Sequence, residues 1–169
     1  MSGTDLNAPA GYSRAQIVLH WLGAGLVIAA FVTHDGMIAA AKAVNEGSYS
    51  GPDAVIVTHV LGGIIVFFLA LWRLGLLSSR GLPEAPQEEP AILRGIAALV
   101  KLLLYAVMIV MPVSGVLNWF GGVAIARQLH LLMEPVVPLT VLLHLIGALY
   151  QQFWLKSGVL TRMLRPEQP

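Results

Sequence analysis

The chain has 169 residues, 57% of them hydrophobic and only 11% charged, and its mean hydropathy is +0.76. These values lie outside the soluble globular range and indicate a membrane protein, while a net charge of +1 is too mild for a nucleic-acid-binding surface. The absence of cysteine excludes disulfides, iron–sulfur clusters, thiolate-ligated haem and covalently attached haem, so any metal must rely on His, Met or carboxylate.

Residues 1–14 form a short polar tail that ends with Arg14 at the membrane surface. Residues 15–33 carry no formal charge, a run long enough to cross a hydrocarbon core of roughly 30 Å. Arg14 precedes this run and Ala39, Ala40 and Ala41 follow it, but it is long for a cleaved signal peptide, so retention is expected. A first helix is predicted over 15–40. The stretch 34–53, with His34, Asp35, Lys42, Glu46, Gly51 and Pro52, reads as a loop overlapping its end.

A second helix is predicted over 54–77, from a charge-free run that ends at Arg73. A polar, proline-rich connection follows. The third helix is predicted over 91–117, interrupted by Lys101. After a turn near 118–122, the fourth is predicted over 124–156, leaving a basic tail. No low-complexity segment or soluble domain interrupts this order, so residues 1–169 read as one transmembrane domain.

Spans of this length in lipid must be helical, because every backbone N–H and C=O has to find its partner internally. The expected fold is an all-α membrane protein, a four-transmembrane-helix up-down-up-down bundle. One side collects Arg14, Arg73, Arg80, Arg94, Lys156, Arg162 and Arg165, and the other only Lys42 and Arg127. That asymmetry predicts cytoplasmic N- and C-termini. Trp21, Trp72, Trp119 and Trp154 lie near predicted helix ends and read as interfacial anchors.

The histidines carry the chemistry. His144 follows His130 by fourteen residues. On a straight helix the two imidazoles would point within about 40° of each other, roughly 21 Å apart along the axis. That arrangement suits two haems held one above the other, with the remaining ligands on other helices. Judged by distance from the helix ends, His20 pairs with His144 on the cytoplasmic side and His59 with His130 on the periplasmic side. A lone intramembrane histidine can be a helix-to-helix hydrogen bond. Four that pair by depth point to a site. His34 also lies fourteen residues from His20 and competes with His59 as the outer ligand. Its neighbours Asp35 and Gly36 suggest a helix end and favour His59.

Gly23, Gly62, Gly63 and Gly147 lie three or four positions after a histidine, where they clear the same helix face for a flat macrocycle or allow close helix packing. Met108, Met111 and Met133 read as packing residues rather than ligands.

The segment Tyr12-Ser-Arg-Ala-Gln-Ile-Val-Leu-His20-Trp-Leu resembles the opening of bacterial cytochrome b561 proteins. Thr58-His59-Val-Leu-Gly-Gly with Arg73, Leu104-Tyr105 leading to Met111-Pro112-Val-Ser-Gly115, and His144 with Phe153-Trp154 and Gly158-Val-Leu-Thr-Arg-Met163 extend the resemblance over nearly the whole chain. It implies four transmembrane helices in the bacterial inner membrane and two bis-histidine b haems on His20, His59, His130 and His144. It also implies electron exchange with the quinone pool; one member type passes electrons from superoxide to ubiquinone. The chain departs from the family in having Lys101 at a third-helix position that is often histidine, and Leu131 where a Glu often follows the third ligand. Pro135 and Pro138 also lie between His130 and His144, where each removes a backbone hydrogen bond and can kink the helix.

Haem carboxylates require cations. Arg14, Arg73 and Lys101 are the candidates on the inner side, with Gly63 beside the porphyrin, whereas Arg14 and Arg73 alone could equally mark topology. Arg127 is the cation beside the outer site and could attract an anion such as superoxide. No catalytic residue is assigned. Two alternative readings stand: a haem-bearing membrane anchor or accessory subunit of a larger respiratory or photosynthetic complex, and a haem-free structural subunit. The short outer loops keep the anchor reading open.

Overall fold

The structure is a computed structural model and describes residues 9–83 and 90–167. It is all helical there, with four spans long and apolar enough to cross a membrane. The spans are Arg14–Val32 (α1), Ala54–Arg80 (α3), Ala91–Trp119 (α4) and a fourth built from Ala124–Met133 (α5) and Val136–Phe153 (α6). His34–Asn45 (α2) follows α1, and Val159–Arg162 (α7) lies in the tail. Most of the proline-rich connection between the second and third spans lies outside the described residues.

Local chemistry sets the boundaries. Ser13 and Gln16 close a reciprocal capping box at the start of α1, with Ser13 Oγ accepting from Gln16 N at 3.2 Å and Gln16 Oε1 from Ser13 N at 2.9 Å. Asp53 caps α3 by accepting from Ile56 N at 2.9 Å.

Two expectations change. The first predicted helix is not continuous over 15–40. It breaks at Thr33, whose hydroxyl bonds back to the Ala29 carbonyl at 2.8 Å, and the stretch read as a loop is helical as far as Asn45. The fourth helix is not continuous over 124–156. It breaks at Glu134 and Pro135, and Pro138 falls in the first turn of α6, where a missing N–H costs least.

Large side chains face outward: Phe31, Phe68, Leu102, Leu132 and Ile146 are exposed, as lipid-facing residues should be. The interior uses smaller residues, including Leu19, Val66, Ala70, Val107 and Ser114. Neighbours in sequence pack: α1 on α3, α3 on α4, and α4 on α5 and α6. The first and last spans do not. No Cα pair between α1 and α6 lies within 8 Å. The bundle is therefore an arc, open along the α1–α6 seam.

Candidate functional site

His20 on α1 and His144 on α6 project into that seam from opposite sides, near the end of the bundle that carries the chain termini. Their ring centroids are 6.1 Å apart and their planes differ by 61°. A metal held between two imidazoles by bonds of about 2 Å leaves the ring centroids roughly 6 Å apart. The seam thus has the spacing that one iron between these rings requires.

Positive charge surrounds this level. The Arg73 guanidinium lies 3.3 Å from His20 Nδ1 and 5.6 Å from the centre of the Tyr105 ring. Arginine can only donate, so His20 Nδ1 accepts from it in this arrangement. Lys101 lies within electrostatic range of His144. Arg14 opens α1 and is exposed. Arg73 also lines a half-open cleft with Tyr12, Gln16, Leu77, Tyr105 and Met163. Burial pushes the Tyr12 phenol above its ordinary range, against the pull of Arg162 and Arg73.

The second level lies toward α2. His59 and His130 are within electrostatic range of each other, and of His34 and Glu134. His130 Nδ1 lies 3.0 Å from the Met111 carbonyl and 3.1 Å from Ser114 Oγ. A carbonyl only accepts, so Nδ1 carries the proton and Nε2 keeps its lone pair. His59 follows the same logic. Its Nδ1 is 3.1 Å from Thr33 Oγ1, whose hydroxyl hydrogen already points to Ala29 and Ala30 carbonyls at 2.8 and 3.2 Å. A Thr33 hydroxyl spent on those carbonyls can only accept from His59 Nδ1, an arrangement that leaves His59 Nε2 unprotonated. A ring whose far N–H is held by a carbonyl or hydroxyl is oriented as a metal ligand needs to be.

Helix α4 shapes the cradle for His130. A Cβ added to Gly115 would lie 3.1 Å from His130 Cε1, so glycine leaves room for the ring that a larger residue would crowd. Ser114 is almost fully buried beneath it. His34, the rival ligand, has Nε2 3.2 Å from Glu134 Oε1 and Nδ1 3.6 Å from Asp35. It ties the break in the first span to the break in the fourth.

The glycines divide. Gly63 and Gly147 face open space, whereas Gly23 backs onto Met108 and Gly62 onto Leu26. The tryptophans divide too. Trp72 and Trp154 are largely exposed, but Trp119 packs edge-on against Tyr49, and the Trp21 indole N–H donates to the Met163 carbonyl at 2.8 Å. Sequence reasoning missed Thr33, Tyr105, Ser114 and Glu134 as site residues. The prior signals were Leu104-Tyr105 and the run Met111-Pro112-Val-Ser-Gly115, which carry the family resemblance alone.

Among the described residues, no three His, Cys, Asp or Glu side chains gather into a metal cage. Opposed pairs of imidazoles are what a macrocycle needs, since it brings four equatorial nitrogens of its own.

Residues 11–166 match the family described as prokaryotic cytochrome b561. The chain is also similar to the cytochrome b562 of Cereibacter sphaeroides: 35% identical over 160 residues, which cover 92% of this chain and 96% of that protein. Both matches run through all four spans, so the chain belongs to the prokaryotic cytochrome b561 family, a haem b-binding, multi-pass inner-membrane protein of electron transfer.

Proposed function

We propose that the chain holds two b haems by bis-histidine ligation, one between His20 and His144 and one between His59 and His130. On this reading it exchanges electrons between the ubiquinone pool and a one-electron periplasmic partner. The observation that carries the reading is the 6.1 Å separation of the His20 and His144 rings across a seam with no backbone packing. A haem with two axial imidazoles, when bound, supplies one-electron transfer and has no open position for oxygen.

The chain's own residues would do the rest. The Met111 carbonyl and Thr33 hydroxyl fix the tautomers of His130 and His59. Arg73 and Lys101 supply positive charge for haem carboxylates at the His20 level, and Gly63 and Gly147 leave open space on their helix faces. Arg73 would have to release His20 Nδ1 to take up that task. The excess of Lys and Arg at the terminal end supports cytoplasmic termini, with the His59–His130 level toward the periplasm. Arg127, near that level in sequence, makes superoxide the anionic partner we favour.

A second reading, a haem-bearing accessory subunit of a larger complex, draws on the fourth span. Only 6% of its most apolar stretch is buried, against 28% in α3, which leaves that surface available to lipid or another subunit. The test is quinone reduction by the purified chain supplied with a superoxide source. Turnover that collapses in His20→Ala and His59→Ala supports the first reading. An inert isolated chain that co-purifies stoichiometrically with other subunits supports the second.

A further inference from the structure

The seam between α1 and α6 needs something to set its width, because no backbone of one helix approaches the other. The C-terminal tail crosses it. After α6 the chain reverses sharply, with Lys156 and Gly158 both at positive φ, 51° and 67°. Ser157 N donates to the Gln151 carbonyl at 3.0 Å and Leu160 N to Gln152 Oε1 at 3.1 Å, so the start of the tail is fastened to α6.

Its far end is fastened to the other side of the seam. The Met163 carbonyl accepts from the Trp21 indole, and Trp21 stands beside His20 with ring centroids 5.1 Å apart. Glu167 then makes three separate attachments. Its backbone N–H donates to the Tyr12 carbonyl at 3.0 Å, its Oε1 accepts from Ala10 N at 3.0 Å, and its Oε2 forms an ion pair with Arg80 at the end of α3. Gly11 is buried against the Glu167 backbone, where a Cβ would meet Glu167 Cβ at 3.3 Å.

We propose that residues 155–167 form a strap that sets the spacing between His20 and His144, with Glu167 as its positioning residue. The proposal rests on the reading that these two histidines share a haem. The strap fixes α6 to α1 at the level of that pair alone. The His59–His130 level has its own ties, Thr33 to His59 and Met111 to His130, and does not depend on the tail.

The test uses the full chain in lipid nanodiscs, comparing wild type with Glu167→Ala, Glu167→Gln and Trp21→Phe. Low-spin electron paramagnetic resonance and a redox titration resolve the two haems, and transfer to apomyoglobin measures haem loss. Glu167→Ala should shift the signal and midpoint of one haem, the one abolished by His20→Ala. It should speed loss of that haem by about tenfold, the scale of one charge-assisted hydrogen bond. Glu167→Gln keeps an acceptor for Ala10 N–H but loses the ion pair, and should fall between wild type and Ala. Trp21→Phe keeps the ring but not the donor, and should act in the same direction. The charge-reversed pair Arg80→Glu with Glu167→Arg should recover part of the effect. Unchanged spectra and haem loss in both Glu167→Ala and Trp21→Phe would overturn the strap. Equal changes at both haems would also overturn it, since they would report general loosening. A wild type with one haem, or a His20→Ala variant with two, would instead remove the pairing on which the strap rests.

Discussion

The rings of His20 and His144 meet at 6.1 Å although the helices that carry them, α1 and α6, do not pack on one another. Spans in lipid associate through close van der Waals packing, so a seam left open between two of them needs a reason. Here the two imidazoles face each other across the seam, with the Arg73 guanidinium beside His20. On the proposed reading, a flat cofactor ligated by both imidazoles supplies that reason.

Gly115 gives a sharp test of the second level. Gly115→Ala puts a methyl group 3.1 Å from His130 Cε1 and 3.4 Å from Nδ1, tight enough to push the ring by a few tenths of an ångström. The ring must shift, which loosens its bond to the Met111 carbonyl. The expected outcome is a loss of about 1–3 kcal/mol of stability and a changed spectrum for one haem only. Thermal unfolding together with reduced-minus-oxidised spectroscopy checks this; a variant identical to wild type in both would contradict the cradle.

Arg73 should tune the potential at the His20 level. A cation stabilises the reduced form of a nearby iron, so Arg73→Gln should lower the midpoint of that haem and leave the other unchanged. At partial exposure the effect is on the order of 1 kcal/mol, or roughly 50 mV for one electron. A redox titration resolves the two. A rise, or a drop shared by both haems, would count against Arg73 as the neighbouring charge.

His34 provides the complementary test. Its Nε2 is engaged by the Glu134 carboxylate, and both side chains are about one-third exposed. With His34 protonated, such a pair is worth about 0.2–1 kcal/mol. His34→Ala should therefore retain two haems and lose little stability, while His59→Ala should lose one haem. Haem quantitation in the purified variants decides between them, and the reverse result would make His34 the ligand.

Orientation is accessible because the chain has no cysteine. A membrane-impermeant maleimide applied from the periplasmic side should label Ser48→Cys in intact cells and leave Ser157→Cys unlabelled until the membrane is opened. The opposite labelling would invert the topology drawn from the Lys and Arg distribution.

Much of the fold was legible because lipid leaves the backbone few choices. The charge-free runs around His20 and His59 mark spans whatever their packing. The breaks at Thr33 and Glu134 were less legible. Pro135 announced the second break, but Thr33 acts through a hydroxyl bonding to its own helix, which composition does not reveal. Counting residues brought His20 to the same depth as His144. It did not disclose Gly115, because a glycine at a packing face and a glycine beneath an imidazole look alike in sequence. Trp21 read as an interfacial anchor for the same reason: its bond to Met163 depends on a tail that folds back from 142 residues away.

The central claim is that four histidines form two axial couples. Haem quantitation combined with low-spin electron paramagnetic resonance on the purified wild type and the His20→Ala, His144→Ala, His59→Ala and His130→Ala variants tests it most directly. The account predicts two b haems per chain in the wild type. It predicts loss of the same haem in the His20 and His144 variants, and loss of the other in the His59 and His130 variants. A single haem in the wild type, or His20 and His144 variants that lose different signals, would contradict it.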